Sequence, residues 1–524
     1  MARAILAFFE PKFDGSKIEM YYKINRMYID KNKQTLKNKS IFPLFFRIVS
    51  WLILFALFLA VAYGVFFVYK TNWAGSKINP ATETSPSFLE TAKNLAFKKD
   101  INLHGFSDGR INILLLGIAG QGKAGTNLTD TIMVASINTK TNQIAFLSIP
   151  RDFYAENIDK NGEKTGVTSK INSTYQYGLT SNDGNYGEAA QTIENTAENI
   201  LGQRINYYIV LNFDGFQKII DSIGGVNITS ERDIFDTSYP GPNFSYETFE
   251  LPKGFHHLDG ATTLKYVRER HNDPEGDFGR AKRQQQVMQA VKSKVFSAQT
   301  LLNVFTLNNL FDTLGENIKT DIKPSELGDF VELTKKLDTN NINNVVLDAW
   351  NKDSLLRVSH IFSGDVRAFI LIPRVGNYSE IQDLANNVFD LNKIKRQKEE
   401  IATENANLAI INKSGDAKSF AKIKNLLSDN LGYKNITVIY DNTKTTEAST
   451  LIYDFSGKSK PFTLDELIKK LPASLATNNS FAQKYLANSK ADILIVVGKD
   501  LANVYNMEED SVEDWKKADE QNNF

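Results

Sequence analysis

Residues 111–149 read INILLLGIAGQGKAGTNLTDTIMVASINTKTNQIAFLSI and contain three apolar runs separated by short polar segments. The runs are rich in aliphatic and β-branched side chains, which pack well in buried strands. They predict strands at 111–116, 131–138 and 143–149, with the last two joined by a turn at 139–142. We therefore expect a central sheet to begin here.

Helical patterns alternate with further strands downstream. Segments 188–201 and 214–223 each carry an apolar stripe at helical spacing and end before a glycine. Short strands are predicted between and after them, at 207–211 and 226–228. This alternation predicts an α/β layered domain with a central sheet, which we assign to residues 106–390.

The C-terminal third of the chain has its own pattern. The charge-dense stretch KIKRQKEEIATE, 393–404, is typical of a linker or a short exposed helix, so we place a boundary at 391–406. Residues 407–500 again alternate strands and helices and predict a second, smaller α/β domain. The acidic residues 501–524 are predicted to form a disordered tail.

A membrane anchor is predicted ahead of both domains. Residues 48–69 contain no charged side chain and are mainly aliphatic and aromatic, and about 20 such residues span a bilayer. Residues 1–47 contain ten Lys or Arg and four Asp or Glu, so the positive-inside rule keeps them in the cytoplasm. Residues 70–105 then form an extracytoplasmic stalk in a single-pass protein of the cell membrane. A cleaved signal peptide is the alternative, but the basic lead and the apolar run are long for one.

The composition excludes several classes of function. The chain has 61 basic and 61 acidic residues, so the six net positive charges before residue 48 leave six net negative ones on the rest. A nucleic-acid partner is therefore not expected. The absence of cysteine excludes disulfides, thiol catalysis and zinc-thiolate sites, and the five histidines form no HExxH motif.

A cluster of charge stands out at 265–286, KYVRERHNDPEGDFGRAKRQQQ. Four arginines surround an acidic turn, namely Arg268, Arg270, Arg280 and Arg283 around Asp273, Glu275 and Asp277. Arginine grips phosphate oxygens in pairs, while carboxylates can hold a divalent ion or orient the guanidinium groups, so the cluster predicts a pyrophosphate site. The alternative is a charged, solvated helix face. Arg280 and Gln284 share a face near a helix N-terminus, and Asp277 is well placed as an N-cap.

Two shorter motifs precede this cluster. GIAGQGKA, 117–124, matches a P-loop except that Ala124 replaces the hydroxyl residue, and a strand rather than a helix is predicted next. We interpret it as a glycine loop lining a phosphate site, with Lys123 available. SIPRD, 148–152, delivers Arg151 and Asp152 at a strand end, where α/β folds place functional groups; a local salt bridge is the alternative.

Taken in order, these motifs resemble a known family. NILLLG, LTDTIMVASIN, SIPRD, KIN, NFDGF, IGGV, VRERH and DFGRAKRQQQ follow one another between residues 111 and 295 and resemble the LytR-CpsA-Psr family of bacterial cell-envelope enzymes. Residues 407–500 resemble the C-terminal domain often appended to LytR proteins. The resemblance implies an α/β/α domain with a central mixed sheet behind a single N-terminal transmembrane helix.

The resemblance also implies a function and a site. It implies a membrane-anchored transferase that moves a glycopolymer from a polyprenyl pyrophosphate carrier to peptidoglycan by magnesium-assisted phosphoryl-type transfer. The positions matching the pyrophosphate-binding pattern are Arg151, Lys170, Arg268, Arg270, Arg280 and Gln284. Asp130 matches a Mg²⁺ ligand, and Asp277 matches an acidic residue of the same pocket. Of these residues, the expected catalytic ones are Arg151, Arg268, Arg270 and Asp277.

Two positions depart from the family pattern. Ala119 and Leu128 stand where many members have an aspartate and an arginine. One alternative is therefore a non-catalytic protein that binds polyprenyl pyrophosphate or glycan and has lost its metal. Another is a polyprenyl pyrophosphate hydrolase, in which water replaces the glycan hydroxyl.

Overall fold

The computed structural model describes residues 101–123, 125–241, 245–269, 273–274, 276–295, 315, 317–338, 342–349, 353–363, 366–441, 443, 445–477, 480–486 and 490–506. All of these belong to one compact unit, Val68–Phe524. The predicted transmembrane segment, 48–69, lies outside the described residues, as do residues 1–47. In the part of the chain that is described, no helix is both long enough and apolar enough to cross a membrane.

The larger part of the described chain alternates strands and helices. The strands are β1 (Arg110–Ile118), β2 (Thr129–Asn138), β3 (Ile144–Ser148), β4 (Tyr154–Ile158), β5 (Lys164–Lys170), β6 (Tyr207–Asn212), β7 (Val226–Ser230), β8 (Ile234–Pro240), β9 (Tyr246–Leu251), β10 (Gly254–Leu258), β11 (Ile318–Thr320), β12 (Ile342–Val346), β13 (Leu356–Ser363) and β14 (Val366–Pro373). The helices are α1 (Thr174–Ser181), α2 (Tyr186–Leu201), α3 (Phe213–Ser222), α4 (Gly260–Arg268), α5 (Asp277–Val295), α6 (Leu327–Lys336), α7 (Ser379–Asn386) and α8 (Leu391–Glu404).

A six-stranded mixed sheet lies at the centre, in the order β11-β6-β1-β2-β3-β12. β1 runs parallel to β6, and β3 runs parallel to β12, while the pairs β1–β2, β2–β3 and β6–β11 are antiparallel. The three strands predicted from residues 111–149 are thus neighbours in the sheet. The expected mixed α/β architecture with a central mixed sheet is confirmed.

Both faces of this sheet are covered. Successive strand residues point to opposite faces, so Leu114 of β1 joins the core cluster that contains Ile193 of α2, whereas Ile111 joins the cluster that contains Leu333 of α6. A sheet buried on both faces needs apolar side chains at successive positions, as the INILLL run provides.

A long two-stranded ribbon leaves the central sheet region. β7 pairs with β10, and β8 pairs with β9, both antiparallel. Its inner side packs on α3 and α4, where Ile228 and Phe249 share a core cluster with Ile220 and Leu264. Only the first of these strands is predicted from the sequence, because the other three contain many charged and polar residues.

The C-terminal residues form a separate sheet. Its strands are β15 (Asn407–Asn412), β16 (Asn435–Ile439), β17 (Thr450–Asp454), β18 (Ala473–Leu475) and β19 (Ile493–Val497). They lie in the order β16-β15-β19-β17-β18. The accompanying helices are α9 (Ala417–Asn425), α10 (Pro461–Lys470), α11 (Ser480–Leu486) and α12 (Lys499–Val504).

Two predicted boundaries differ from the structure. Residues 101–105, assigned to the stalk, contribute buried Leu103 to the core, and the backbone NH of His104 donates to the Tyr207 hydroxyl. Residues 501–505, assigned to the tail, belong to the fold, because α12 continues to Val504 and Tyr505 is buried. The charge-dense stretch forms helix α8, and the remaining domain bounds stay predictions.

Buried ion pairs join the two parts of the described chain. Arg374 pairs with Glu380 at 2.7 Å, and Lys470 of α10 reaches both Glu380 at 3.2 Å and Glu466 at 2.7 Å. Burial alone would raise the pKa of Glu380, but hydrogen bonds from Arg374 and the charge of Lys470 lower it below its usual value. The Tyr505 hydroxyl closes the contact by donating to the Arg374 carbonyl.

We predict that Lys470→Ala destabilises the protein, because it leaves two buried carboxylates without their shared ammonium group. Removing one partner of a buried ion pair costs about 3 kcal/mol in the free energy of unfolding. The adjacent Lys469→Ala is the matched control, since Lys469 forms an exposed pair with Asp465 and such pairs contribute at most about 1 kcal/mol. Urea unfolding followed by circular dichroism measures both; equal losses would contradict the prediction.

Candidate functional site

A cavity of about 170 Å³ opens at the edge of the central sheet where β1 and β3 end and β2 begins. Five of the predicted site residues line it, namely Asp130, Arg151, Arg268, Arg280 and Gln284. The remaining lining residues are Ala119, Thr131, Phe213, Asp236, Tyr239, Pro240 and Glu269. The site is therefore assembled from the sheet edge, the ribbon and the helices α3, α4 and α5.

Asp130 and Arg151 meet because of strand direction. Antiparallel pairing places the start of β2 and the end of β3 at the same edge of the sheet. Arg151 Nη1 donates to Asp130 Oδ1 at 3.0 Å, and Arg151 Nε lies 3.5 Å from Asp152 Oδ2. The SIPRD motif thus forms local salt bridges and also supplies a cation to the cavity.

Lys170 lies behind this pair. Its Nζ donates to Asp152 Oδ1 at 2.6 Å, so Asp152 bridges Lys170 and Arg151. Lys170 is not among the residues that line the cavity. Its predicted contact with pyrophosphate stays a prediction, and in this structure Lys170 acts on Asp152.

Arg268, the last residue of α4, is held by aromatic rings. Its guanidinium carbon lies 4.4 Å from the ring centroid of Phe213 and 5.7 Å from that of Tyr239. Cation–π contacts hold the guanidinium group at the cavity wall, and a guanidinium group can make a planar, bidentate contact with a phosphate. Phe213 belongs to the NFDGF motif, which makes it the one aromatic residue of the site that a motif signalled.

Arg280 and Gln284 lie on one face of α5, as their spacing predicts. Arg280 Nη2 donates to the Asp130 carbonyl at 3.3 Å, and Gln284 Nε2 donates to Thr131 Oγ1 at 2.8 Å. Both bonds end on the first residues of β2. They fix the N-terminal half of α5 against the sheet edge, with Arg280 beside Asp130.

The glutamine run continues this attachment. Gln285 Nε2 donates to Ser148 Oγ of β3 at 3.0 Å, and Gln286 Nε2 donates to the Thr229 carbonyl of β7 at 2.8 Å. Together with Gln284, three consecutive residues bind three different strands. Because a helix turns by about 100° per residue, consecutive side chains can do this only where α5 is surrounded by the sheet and the ribbon.

Arg283 has a different environment from the other arginines. It is buried, forms ion pairs with Glu269 and Asp273, and its Nε donates to the Tyr266 carbonyl at 3.0 Å. Arg232 of the ribbon reaches the same two carboxylates, at 2.9 Å and 3.2 Å. Arg283 is therefore a structural cation. Asp273 orients the guanidinium groups of Arg283 and Arg232, which is one of the two roles expected of the acidic turn.

Part of the predicted charge cluster is not among the described residues. Arg270 and Glu275 lie outside the described residues, as does the side chain of Asp277, the first residue of α5. Their predicted roles, including the N-cap alternative for Asp277, stay predictions. Lys123 is described, and its Nζ lies 2.6 Å from Asp214 Oδ2 in an exposed pair. Such an exposed pair is weak, so the expectation that Lys123 is available to a phosphate stays a prediction.

The residues present fit a magnesium ion only in one mode. Within the described ranges, no group of three or more His, Asp or Glu side chains converges as a metal site. Ala119 lines the cavity without offering a ligand, while Asp130 offers a carboxylate that is 39% exposed. Mg²⁺ is often held by one or two carboxylates together with substrate phosphates. Asp130 fits that mode, in which phosphate oxygens supply further ligands.

Asp236, Tyr239 and Glu269 are site residues that the sequence analysis missed. Asp236 and Tyr239 come from the ribbon, which carries no recognised motif, and their place depends on its tertiary packing. Glu269 lies inside the VRERH motif, which the sequence singles out. Its burial beside two arginines depends on tertiary packing and was not predicted.

Comparison with known proteins identifies the family. The LytR_cpsA_psr family model matches residues 65–363. The polyisoprenyl-teichoic acid–peptidoglycan teichoic acid transferase TagU of Oceanobacillus iheyensis is 31% identical over 279 residues, which are 53% of this chain and 78% of that protein. TagU of Bacillus anthracis is 33% identical over 219 residues, 42% of this chain and 63% of that protein.

Among solved structures, the match to the crystal structure of B. subtilis TagV covers 54% of this chain and 97% of the TagV chain. It is 25% identical, with a TM-score of 0.41. The named relatives are transferases, which confirms the prediction of a transferase-class enzyme. Because the family model covers more than half of the residues, the chain belongs to the LytR_cpsA_psr family.

Proposed function

We propose that this protein transfers a glycopolymer from a polyprenyl pyrophosphate carrier to peptidoglycan, with the pyrophosphate bound in the cavity. The observation that carries this proposal is the convergence of Arg151, Arg268 and Arg280 on one small cavity from three separate parts of the chain. The related TagU proteins, whose names describe transfer of polyisoprenyl-linked teichoic acid to peptidoglycan, support it.

The charges around the cavity favour an anionic ligand. Glu269 also lines the cavity, but its carboxylate is matched by Arg232 and Arg283. It therefore does not need Arg268 as a counter-ion. Asp130 pairs with Arg151 at 3.0 Å. The guanidinium groups of Arg151, Arg268 and Arg280 line the cavity together with the carboxylates of Asp130, Asp236 and Glu269. A bound pyrophosphate would accept charge-assisted hydrogen bonds from the three guanidinium groups.

This arrangement suits an in-line displacement. The acceptor hydroxyl attacks the sugar-bearing phosphorus, a new P–O bond forms, and the bond to the carrier phosphate breaks, so that polyprenyl phosphate leaves. Negative charge on the phosphate oxygens is stabilised by the fixed guanidinium groups, without a covalent enzyme intermediate. A Mg²⁺ ion held by Asp130 would neutralise further phosphate charge. The transmembrane helix proposed at 48–69 would keep the cavity near the lipid carrier.

We predict that Arg268→Ala lowers transfer to peptidoglycan on the order of 100-fold, because it removes a fixed charge from the phosphate site. We expect the same of Arg270→Ala. The free energy of unfolding should change by less than about 1 kcal/mol for Arg268→Ala. The matched control is Arg396→Ala, since Arg396 forms an exposed pair with Asp390. Mass spectrometry of the products, with and without peptidoglycan, measures transfer and separates it from hydrolysis; wild-type transfer by Arg268→Ala would refute the proposal.

Arg283→Ala should behave in the opposite way. It leaves the buried carboxylates of Glu269 and Asp273 short of a cation, so the free energy of unfolding should fall by about 3 kcal/mol or more. Thermal unfolding of Arg283→Ala and Arg268→Ala, side by side, measures the difference. Wild-type stability of Arg283→Ala together with loss of pyrophosphate binding would mean that Arg283 is a ligand-binding residue.

Magnesium should strengthen pyrophosphate binding through Asp130. We predict that Mg²⁺ raises the affinity of the wild-type chain for inorganic pyrophosphate more than that of Asp130→Asn, because Mg²⁺ is bound by one or two carboxylates together with substrate phosphates. Calorimetric titrations with Mg²⁺ and with EDTA measure this independently of turnover. The same Mg²⁺ effect in both proteins would exclude Asp130 as the ligand.

A further inference from the structure

The hydroxyl of Tyr239 is unusual in this site. Tyr239 is only 2% exposed and lines the cavity, yet its hydroxyl is buried and has no hydrogen-bond partner among the described residues. An unpaired buried hydroxyl costs about 1 to 3 kcal/mol of stability. Because this hydroxyl lies beside a cavity, a bound ligand would explain it by supplying the missing hydrogen-bond partner.

A β-bulge turns Tyr239 toward this cavity. On β8, Ile234 and Asp236 are buried while Phe235 is exposed, the alternation of a regular strand. Continued regularly, that alternation would place Tyr239 on the outer side with Phe235. The register shifts by one residue between Asp236 and Tyr239, and the Ser238 NH donates to Asp236 Oδ1 at 2.8 Å within the bulge. Bulges often re-aim a side chain next to an active site.

Tyr239 is surrounded by cations, carboxylates and aromatic rings. The guanidinium carbon of Arg268 lies 5.7 Å from its ring centroid, Lys265 Nζ lies 5.9 Å away, and the Phe249 ring packs at 5.6 Å. Burial raises the pKa of Tyr239 to about 12, the charges of Glu247 and Asp236 act in the same direction, and the charge and close side-chain contact of Arg268 act against them. The hydroxyl therefore keeps its proton at neutral pH and can donate it in a hydrogen bond.

We propose that Tyr239 is a further binding residue of this cavity, whose hydroxyl donates a hydrogen bond to a phosphate oxygen of the bound pyrophosphate beside Arg268. This assignment rests on the proposed function. Arg268 contacts the ring of Tyr239, so an anion attracted to that guanidinium group comes close to the Tyr239 hydroxyl. Among the described residues of the ribbon, this hydroxyl is the only buried side-chain donor without a hydrogen-bond partner. A hydrogen bond to a charged acceptor is about twice as strong as a neutral one.

The test uses the full chain in detergent micelles with inorganic pyrophosphate as the probe, because this probe has no sugar or lipid. Tyr239→Phe should lower the affinity measured by calorimetry about tenfold. Without ligand, the melting temperature of Tyr239→Phe should be equal to or higher than that of the wild type, because the change removes an unpaired hydroxyl. Unchanged affinity, or a lower melting temperature without ligand, would overturn the assignment.

Two tyrosines provide matched controls. Tyr246→Phe changes the same ribbon at a side chain that is 74% exposed, and Tyr175→Phe removes another buried, unpaired hydroxyl from the core cluster around α2. Both variants should keep the wild-type affinity for pyrophosphate. A tenfold loss of affinity in either would overturn the assignment to Tyr239, because the effect would then not be specific to the hydroxyl at the cavity.

The arginine variant separates the two claims. If the wild type does not bind pyrophosphate, or Arg268→Ala binds it as tightly as the wild type, the proposed function fails and the role of Tyr239 fails with it. If Arg268→Ala loses affinity while Tyr239→Phe keeps it, only the role of Tyr239 is wrong. Loss of affinity in both, with an undiminished melting temperature for unliganded Tyr239→Phe, supports both claims.

Discussion

The carboxylate of Glu269 is completely buried, and it is stable there only because Arg283 and Arg232 neutralise it. Arg283 belongs to α5, Arg232 follows β7 in the ribbon, and Glu269 directly follows α4, so one buried charge cluster ties together α5, the ribbon and α4, which form most of the cavity wall. Asp273 reinforces it by pairing with both arginines. A buried charge that loses its partner is costly, so these elements have little freedom to separate.

That constraint has a chemical consequence for the cavity. Glu269 and Asp273 pair with Arg232 and Arg283, while Arg268 and Arg280 line the cavity. Arg268 contacts two aromatic rings, and Arg280 donates to a backbone carbonyl. These contacts orient the two cations at the cavity, as binding of a pyrophosphate requires.

The sequence was informative where the physical cause is local. The apolar runs of residues 111–149 predict adjacent strands because both faces of the central sheet are buried, and the spacing of Arg280 and Gln284 predicts their shared helix face. Local patterns could not divide the arginines by role. Arg280 and Arg283 are separated by less than one helical turn, and only the packing of the ribbon and α4 makes one a cavity residue and the other a buried counter-ion.

Tertiary packing also explains the other misses. β8 is not predicted from the sequence, and its bulge inverts the alternation on which strand predictions depend, so no local pattern marks Tyr239 as a buried residue. Lys123 has a carboxylate partner, Asp214, that lies 91 residues away in sequence. In both cases the deciding contact is remote, and a single sequence carries no signal for it.

The most direct test is a crystal structure of the full chain with inorganic pyrophosphate and Mg²⁺. The account predicts that phosphate oxygens contact Arg151, Arg268 and Arg280 in the cavity, while Arg283 keeps its ion pairs with Glu269 and Asp273. Pyrophosphate bound elsewhere, or an Arg283 that leaves those carboxylates to bind it, would contradict the division between binding and structural arginines.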